Sequence, residues 1–278
     1  MASAWTGRLV GLADELRIFR HLATARLGAE MQYRVSFWLQ VTGNFALYLS
    51  ELAAILILLR HFDTLGGWRP GEVAFLYGLS SFSFGIANTA AAGFSVFSQQ
   101  VVRGDFDRIL TRPLAPMLQV LASDIQLRRL GGVLQGLAAF LLASRLIDLP
   151  WTPGRVVYLP VVILSASVLF MALFALEATL CFWTTEGTEV VNAFTYGGFQ
   201  LALYPIHIFE IWLRRLFLFI IPLGFVIYAP ALYLLDKSDP LGLPVLTRFL
   251  APLAAVAFAL VVGTAWQAGV RRYRSTGT

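Results

Sequence analysis

The sequence predicts an all-α polytopic membrane protein. It has six transmembrane helices, an N-terminal amphipathic interfacial helix, a short cytoplasmic amphipathic helix, and outer re-entrant helices before the last span. Three observations predict it. Of the 278 residues 58% are hydrophobic and only 13% charged, with a mean hydropathy of +0.72. A soluble domain carries about 25% charged residues, so the polar surface is too small to cover a water-soluble globule. Six apolar stretches approach or exceed the roughly 20 residues that a spanning helix needs. Finally, the arginines flank those stretches, whereas a nucleic-acid binder would carry a basic stripe on a soluble fold. Residues 1–278 read as a single domain without internal repeats.

Residues 12–32 come first. Leu12, Leu16, Phe19, Ala23 and Leu27 recur at helical spacing, with Arg17, Arg20 and Arg26 between them. Such a helix lies in the membrane interface with its basic face toward anionic headgroups; a packed helix shows the same periodicity. No clean apolar run leads to a small-residue cleavage site, so a signal peptide is not expected.

Spans are expected at about 35–59, 73–97, 117–142, 156–182, 190–204 and 245–268. The second is rich in small residues, among them Gly78, Ser80, Ser81, Gly85, Ala87 and Gly93. These permit close helix approach where packing drives association, as in a central or interfacial helix, although membrane helices are generally rich in them. Residues 205–235 are apolar but hold Pro205, Glu210, Arg214, Arg215, Pro222 and Pro230, and proline breaks helices. Broken helices survive at membrane depth only when protein or a water-filled cavity covers them.

Charge bias fixes the count. Arg8, Arg17, Arg20, Arg26 and Arg34 place the N-terminus in the cytoplasm. Arg103, Arg108 and Arg112 do the same for the connection after the second span, and Arg271, Arg272 and Arg274 for the C-terminus. An even number of crossings satisfies all three, so 205–235 reads as a re-entrant pair on the outer side of a bacterial inner membrane. Arg214, Arg215 and Lys237, the only lysine, then break the rule mildly.

No catalytic or metal-binding residues are expected. The phosphate-binding loop, the H-E-x-x-H motif and the G-x-S-x-G elbow are all missing. Cys181 is the lone cysteine and excludes an internal disulfide. His21, His61 and His207 are far apart. Four polar residues fall within the spans, where they are costly: Glu51, Asn88, Glu177 and Gln200. They are candidates for a translocation path, or for hydrogen bonds and ion pairs across helices. A secondary transporter or a stand-alone intramembrane enzyme is the alternative function, but it would show inverted repeats or converging titratable groups.

The connection 101–116 carries most of the functional inference. Phe106, Ile109, Leu110 and Pro113 share one face of a short helix, and Asp105, Asp107, Arg108 and Arg112 cover the other. Gly104 starts the element and Pro113 stops it. An apolar ridge with charges beside it suits docking into a groove of a soluble partner; a solvated loop with one helical turn is the plainer reading.

The run G-D-F-D-R-I-L-T-R-P-L from Gly104 to Leu114 resembles the coupling helix of ABC type 2 permeases, in particular of a bacterial group that occurs as paired subunits beside an ATPase. Leu203 to Phe209, then Trp212 to Arg215, then Ile221 to Ala231 resemble that group's Y-P-x-x-[IV]-[FY] and I-P-[LF]-x-[FW]-x-x-[YN]-x-P-A region. The resemblance runs nearly the whole length of the chain. It implies a six-helix permease domain with a coupling helix at 104–116, and a role in ATP-driven export. ATP and Mg would sit on a separate cytoplasmic ATPase, with no cofactor on this chain. Gly104, Asp105, Phe106, Asp107, Arg108, Ile109, Leu110, Arg112 and Pro113 would enter the ATPase groove. A second permease is implied as partner, with a heterodimer favoured over a homodimer; membrane lipid surrounds the pair, and nucleic acid is no partner. The acidic turn at 184–189 reads either as a second ATPase contact or as a helix cap.

Overall fold

The computed structural model describes residues 34–59, 64–112, 114–124, 126, 129–147, 149, 151–184 and 188–274. The expected interfacial helix at 12–32 lies outside them. So do Pro113, most of the acidic turn and the side chain of Glu51, whose backbone is helical.

The described residues are mostly helical and contain no strand. Helix α1 is Arg34–Leu59 and α2 is Pro70–Ala90. Short helices α3 (Ala92–Ser95) and α4 (Phe97–Val102) continue the second stretch, and α5 is Asp105–Leu110. Helices α6 (Pro116–Ser123) and α7 (Leu130–Leu146) follow, then α8 (Pro153–Leu180) and α9 (Thr188–Ala202). Helices α10 (Ile211–Ile220) and α11 (Gly224–Leu234) meet at a bend of 78°, and α12 is Ala251–Arg272. Proline sits in the first turn of α2, α6, α8 and α12, where its missing N–H leaves no hydrogen bond unmade.

Among the described residues, α8 (mean hydropathy 2.5) and α12 (1.8) are long and apolar enough to cross a bilayer, and α10 with α11 would make a third if the bent pair is one span. The third expected span is not one helix. It is divided between α6, which ends at Ser123, and α7, which begins at Leu130, and polar side chains beside the division are paired. Arg129 donates from Nη1 to the Asn88 carbonyl at 3.1 Å and also to the Asn88 side-chain oxygen. Its Nε donates to Gln126 Oε1 at 2.7 Å, and Gln126 donates to Asp124 Oδ2 at 2.6 Å. These paired polar groups lie where one helix ends and the next starts.

The core is built on α2, which is buried on almost every side from Val73 to Gly85. It packs most extensively on α7, and glycines make the contact. A Cβ at Gly78 would overlap the Phe140 backbone, one at Gly136 the Phe82 backbone, and one at Gly85 would stand 2.9 Å from the Val133 nitrogen. Gly131 makes the same approach to Val41 on α1. Phe84 stacks on Phe199 of α9 at 4.1 Å and meets Phe170 of α8 edge-on at 5.1 Å.

A tight turn closes one end of the bundle. Leu65 and Trp68 exchange backbone hydrogen bonds of 2.8 and 3.0 Å around Gly66 and Gly67, whose φ values of 56° and 82° suit a two-glycine hairpin turn. The turn brings Trp68 onto Tyr228 of α11, stacked at 5.8 Å. His207 Nε2 lies 2.7 Å from the Gly66 carbonyl and Nδ1 lies 3.2 Å from the Tyr228 hydroxyl, which in turn donates to Asp239. Lys237 reaches Glu72 at 2.8 Å.

Candidate functional site

The opposite end of the bundle carries the short helix α5 with Arg103, Arg108 and Arg112. Gly104 enters α5 with φ of 73°, a left-handed conformation that glycine adopts without steric penalty. Asp105 and Asp107 occupy the first turn and Arg108 the last, each placed to oppose the partial charge of that helix end. Arg108 approaches Asp105 at 4.0 Å, but the two side chains are 85% and 48% exposed, so the pair is screened and weak. Gln119 of α6, itself buried, donates from Nε2 to the carbonyls of Ile109 (3.1 Å) and Leu114 (3.0 Å). It holds the exit from α5 against the bundle.

The described part of the apolar ridge, Phe106, Ile109 and Leu110, packs on the chain's own bundle. Phe106 is 0% exposed. Its ring meets Phe97 of α4 at 5.1 Å and 90°, Phe182 after α8 at 5.5 Å and 55°, and Tyr273 after α12 at 5.0 Å and 88°. Trp266 of α12 adds a contact at 6.4 Å. Ile109 and Leu110 are partly buried against the same core. A phenylalanine left in water would forfeit about 1.5–3 kcal/mol of transfer free energy, so the ring turns toward its own bundle. The face left outward is polar: Arg108, Thr111 and Arg112 are exposed, with Gly104, Asp105 and Asp107 half-buried at its edge. Burial, with the Asp107 carboxylate second, pushes the Tyr273 phenol above its ordinary value.

Of the four polar residues expected in spans, the three with described side chains, Asn88, Glu177 and Gln200, do not converge. Asn88 is engaged by Arg129 and lines an open crevice with Gln40, Asn44, Gln126 and Tyr196. Glu177, in the last turn of α8, lines a separate cavity with Ser95, Ser98 and Asn192. Gln200 is exposed on α9 and lines neither. Sequence reasoning missed Arg129 as the partner of Asn88, Gln119 as the anchor of α5, and Ser95 and Ser98 as companions of Glu177.

No curated protein and no solved structure matches the chain. The family model described as ABC-2 family transporter protein matches residues 45–277, and the chain belongs to that family.

Proposed function

We propose that the chain is the permease subunit of an ATP-driven exporter. It crosses a bacterial inner membrane six times, through α1, α2 to α4, α6 with α7, α8, α9 and α12, with both termini in the cytoplasm. Helices α10 and α11 form the outer re-entrant pair. A second, homologous permease completes the translocation path, and separate cytoplasmic ATPase subunits bind ATP and Mg. The observation that carries the reading is the seat of Phe106. Helix α5 is keyed through one ring to residues at the ends of α4, α8 and α12. A push on its outward face is therefore delivered to spans that are far apart in sequence.

In this mechanism Asp105, Asp107, Arg108 and Arg112 meet the ATPase, and Phe106, Ile109 and Leu110 transmit its movement. Interfacial charges of this kind fix register and partner choice. The test is co-purification of the native chain and an Arg108→Glu, Arg112→Glu variant after mild detergent extraction. An ATPase with a phosphate-binding loop should accompany the native chain and leave the variant. A chain that purifies alone favours a secondary transporter or a stand-alone enzyme; an ATPase retained by the variant removes the docking role of this face.

A further inference from the structure

The Glu177 cavity has a chemistry of its own. Its volume is about 190 Å³ and it is lined by Phe94, Ser95, Ser98, Glu177, Ala178, Cys181 and Asn192. A water takes up about 30 Å³ of liquid, so the space admits a polar group with several carbons attached. Among the described residues no side chain donates to the Glu177 carboxylate, and Ser95, Ser98 and Asn192 make no side-chain hydrogen bond. Ser95, Ser98 and Glu177 are half-buried and Asn192 is exposed at the rim, so the polar groups around this space are reachable by a ligand that supplies their partners.

The sign of that something is set by the lining. Among the described lining residues Glu177 carries the one charge, and none is an arginine or lysine. The cavity also lies at the C-terminal end of the 28-residue α8, where the helix dipole favours positive charge. The oxygen atoms of Glu177, Ser95, Ser98 and Asn192 offer acceptors on several sides, and a primary ammonium carries three donors and no acceptor. A trimethylated nitrogen would leave the hydroxyl and amide oxygens unpaired. We propose that this cavity binds a primary ammonium group, with Glu177 as its counter-ion and Ser95, Ser98 and Asn192 as its remaining acceptors. The inference rests on the exporter reading only in placing the cavity on the path of a transported molecule. The amine can belong to a water-soluble amphiphile or to a lipid headgroup.

The place of the cavity ties it to α5. Phe94 lines it and meets Trp266 at 6.0 Å, and Cys181 lines it one residue before Phe182. Trp266 and Phe182 both belong to the cluster that seats Phe106.

The test is equilibrium binding of radiolabelled octylamine to the full chain, with whatever chains co-purify, in phosphatidylcholine nanodiscs at neutral pH. Saturable binding is expected, with octyltrimethylammonium a poor competitor. Glu177→Gln should raise the Kd by about tenfold or more, the loss of one charge-assisted partner, and Ser98→Ala should raise it a few-fold without disturbing elution or helicity. Octylamine binding that does not saturate, is unchanged in Glu177→Gln, or is competed equally by the trimethylated analogue overturns the proposal. Repeating the titration with phosphatidylethanolamine in the nanodiscs identifies the source. A raised apparent Kd shows that headgroup amines hold the site, and an unchanged one shows a soluble amine. Binding is read without ATP, so failure of the ATPase to co-purify leaves this result standing.

Discussion

The rings of Phe106 and Tyr273 meet edge to face, centroids 5.0 Å apart and planes at 88°. The contact joins the short helix between the second and third apolar stretches to the residue that follows α12. Aromatic pairs in this geometry add about 0.5–1.5 kcal/mol beyond the area they bury, and Phe106 makes several.

Phe106→Ala should therefore destabilise the protein by about 3–5 kcal/mol. Thermal unfolding in detergent should show a lower midpoint, and Phe106→Leu should recover most of it. An alanine variant that melts with the native protein would mean that the ring is not seated in the cluster.

Tyr273 carries a pH dependence. Its phenol is held above the ordinary tyrosine value by burial and by Asp107, so the fold prefers the neutral form. The stabilisation is complete below about pH 10, the unfolded value, and is lost as pH rises through the higher folded value. Native protein should lose stability above about pH 10 more steeply than Tyr273→Phe. Denaturation midpoints at pH 8 and pH 11 give the comparison; equal slopes would remove Tyr273 from the account.

The glycine seam predicts a contrast between glycines. Gly136→Ala and Gly78→Ala push a Cβ into the facing backbone and should destabilise by about 1–3 kcal/mol. Gly197 and Gly263 have nothing within 4 Å of such a Cβ. Alanine there should be neutral or stabilising by up to about 1 kcal/mol, the difference in helix propensity. A set of four melting curves decides it.

Lys237 and Glu72 are only 20% and 13% exposed, and the Arg69 amide also donates to Glu72 at 2.7 Å. Lys237→Ala should lower stability by about 1.5–3 kcal/mol, the range for hydrogen bonds to charged groups. Adding Glu72→Gln to it should then remove little more. Additive losses in the double variant would show that the two residues act separately.

How much of this was legible in the sequence depended on the range of each interaction. Helices α1, α8 and α12 follow from the length of their apolar runs, and the bend between α10 and α11 follows from Pro222. The two faces of α5 were readable from the spacing of Phe106, Ile109, Asp105 and Arg108. Which face turned outward was not, because the rings that receive Phe106 come from three distant segments. The division between α6 and α7 was missed for the same reason: Arg129 and Asn88 are 41 positions apart, and an apolar count sees only a continuous stretch. Lys237, which strains the charge rule when read alone, is answered by an acid 165 positions away. Of the four polar residues singled out, two line different spaces, because periodicity places a residue on a face without saying what lies opposite.

The backbone contact between α2 and α7 limits how the molecule can change shape. Two helices that touch without an intervening layer of side chains cannot slide or pivot on one another without collision, and α1 is fastened to the same pair at Gly131. Together they form a stiff plank. Freedom is left at the joints, the steps at Ala91 and Val96 that divide the second stretch. Any stroke delivered through α5 would be taken up by these articulations rather than by bending helices, and stiffening a joint would arrest the motion while leaving the fold intact.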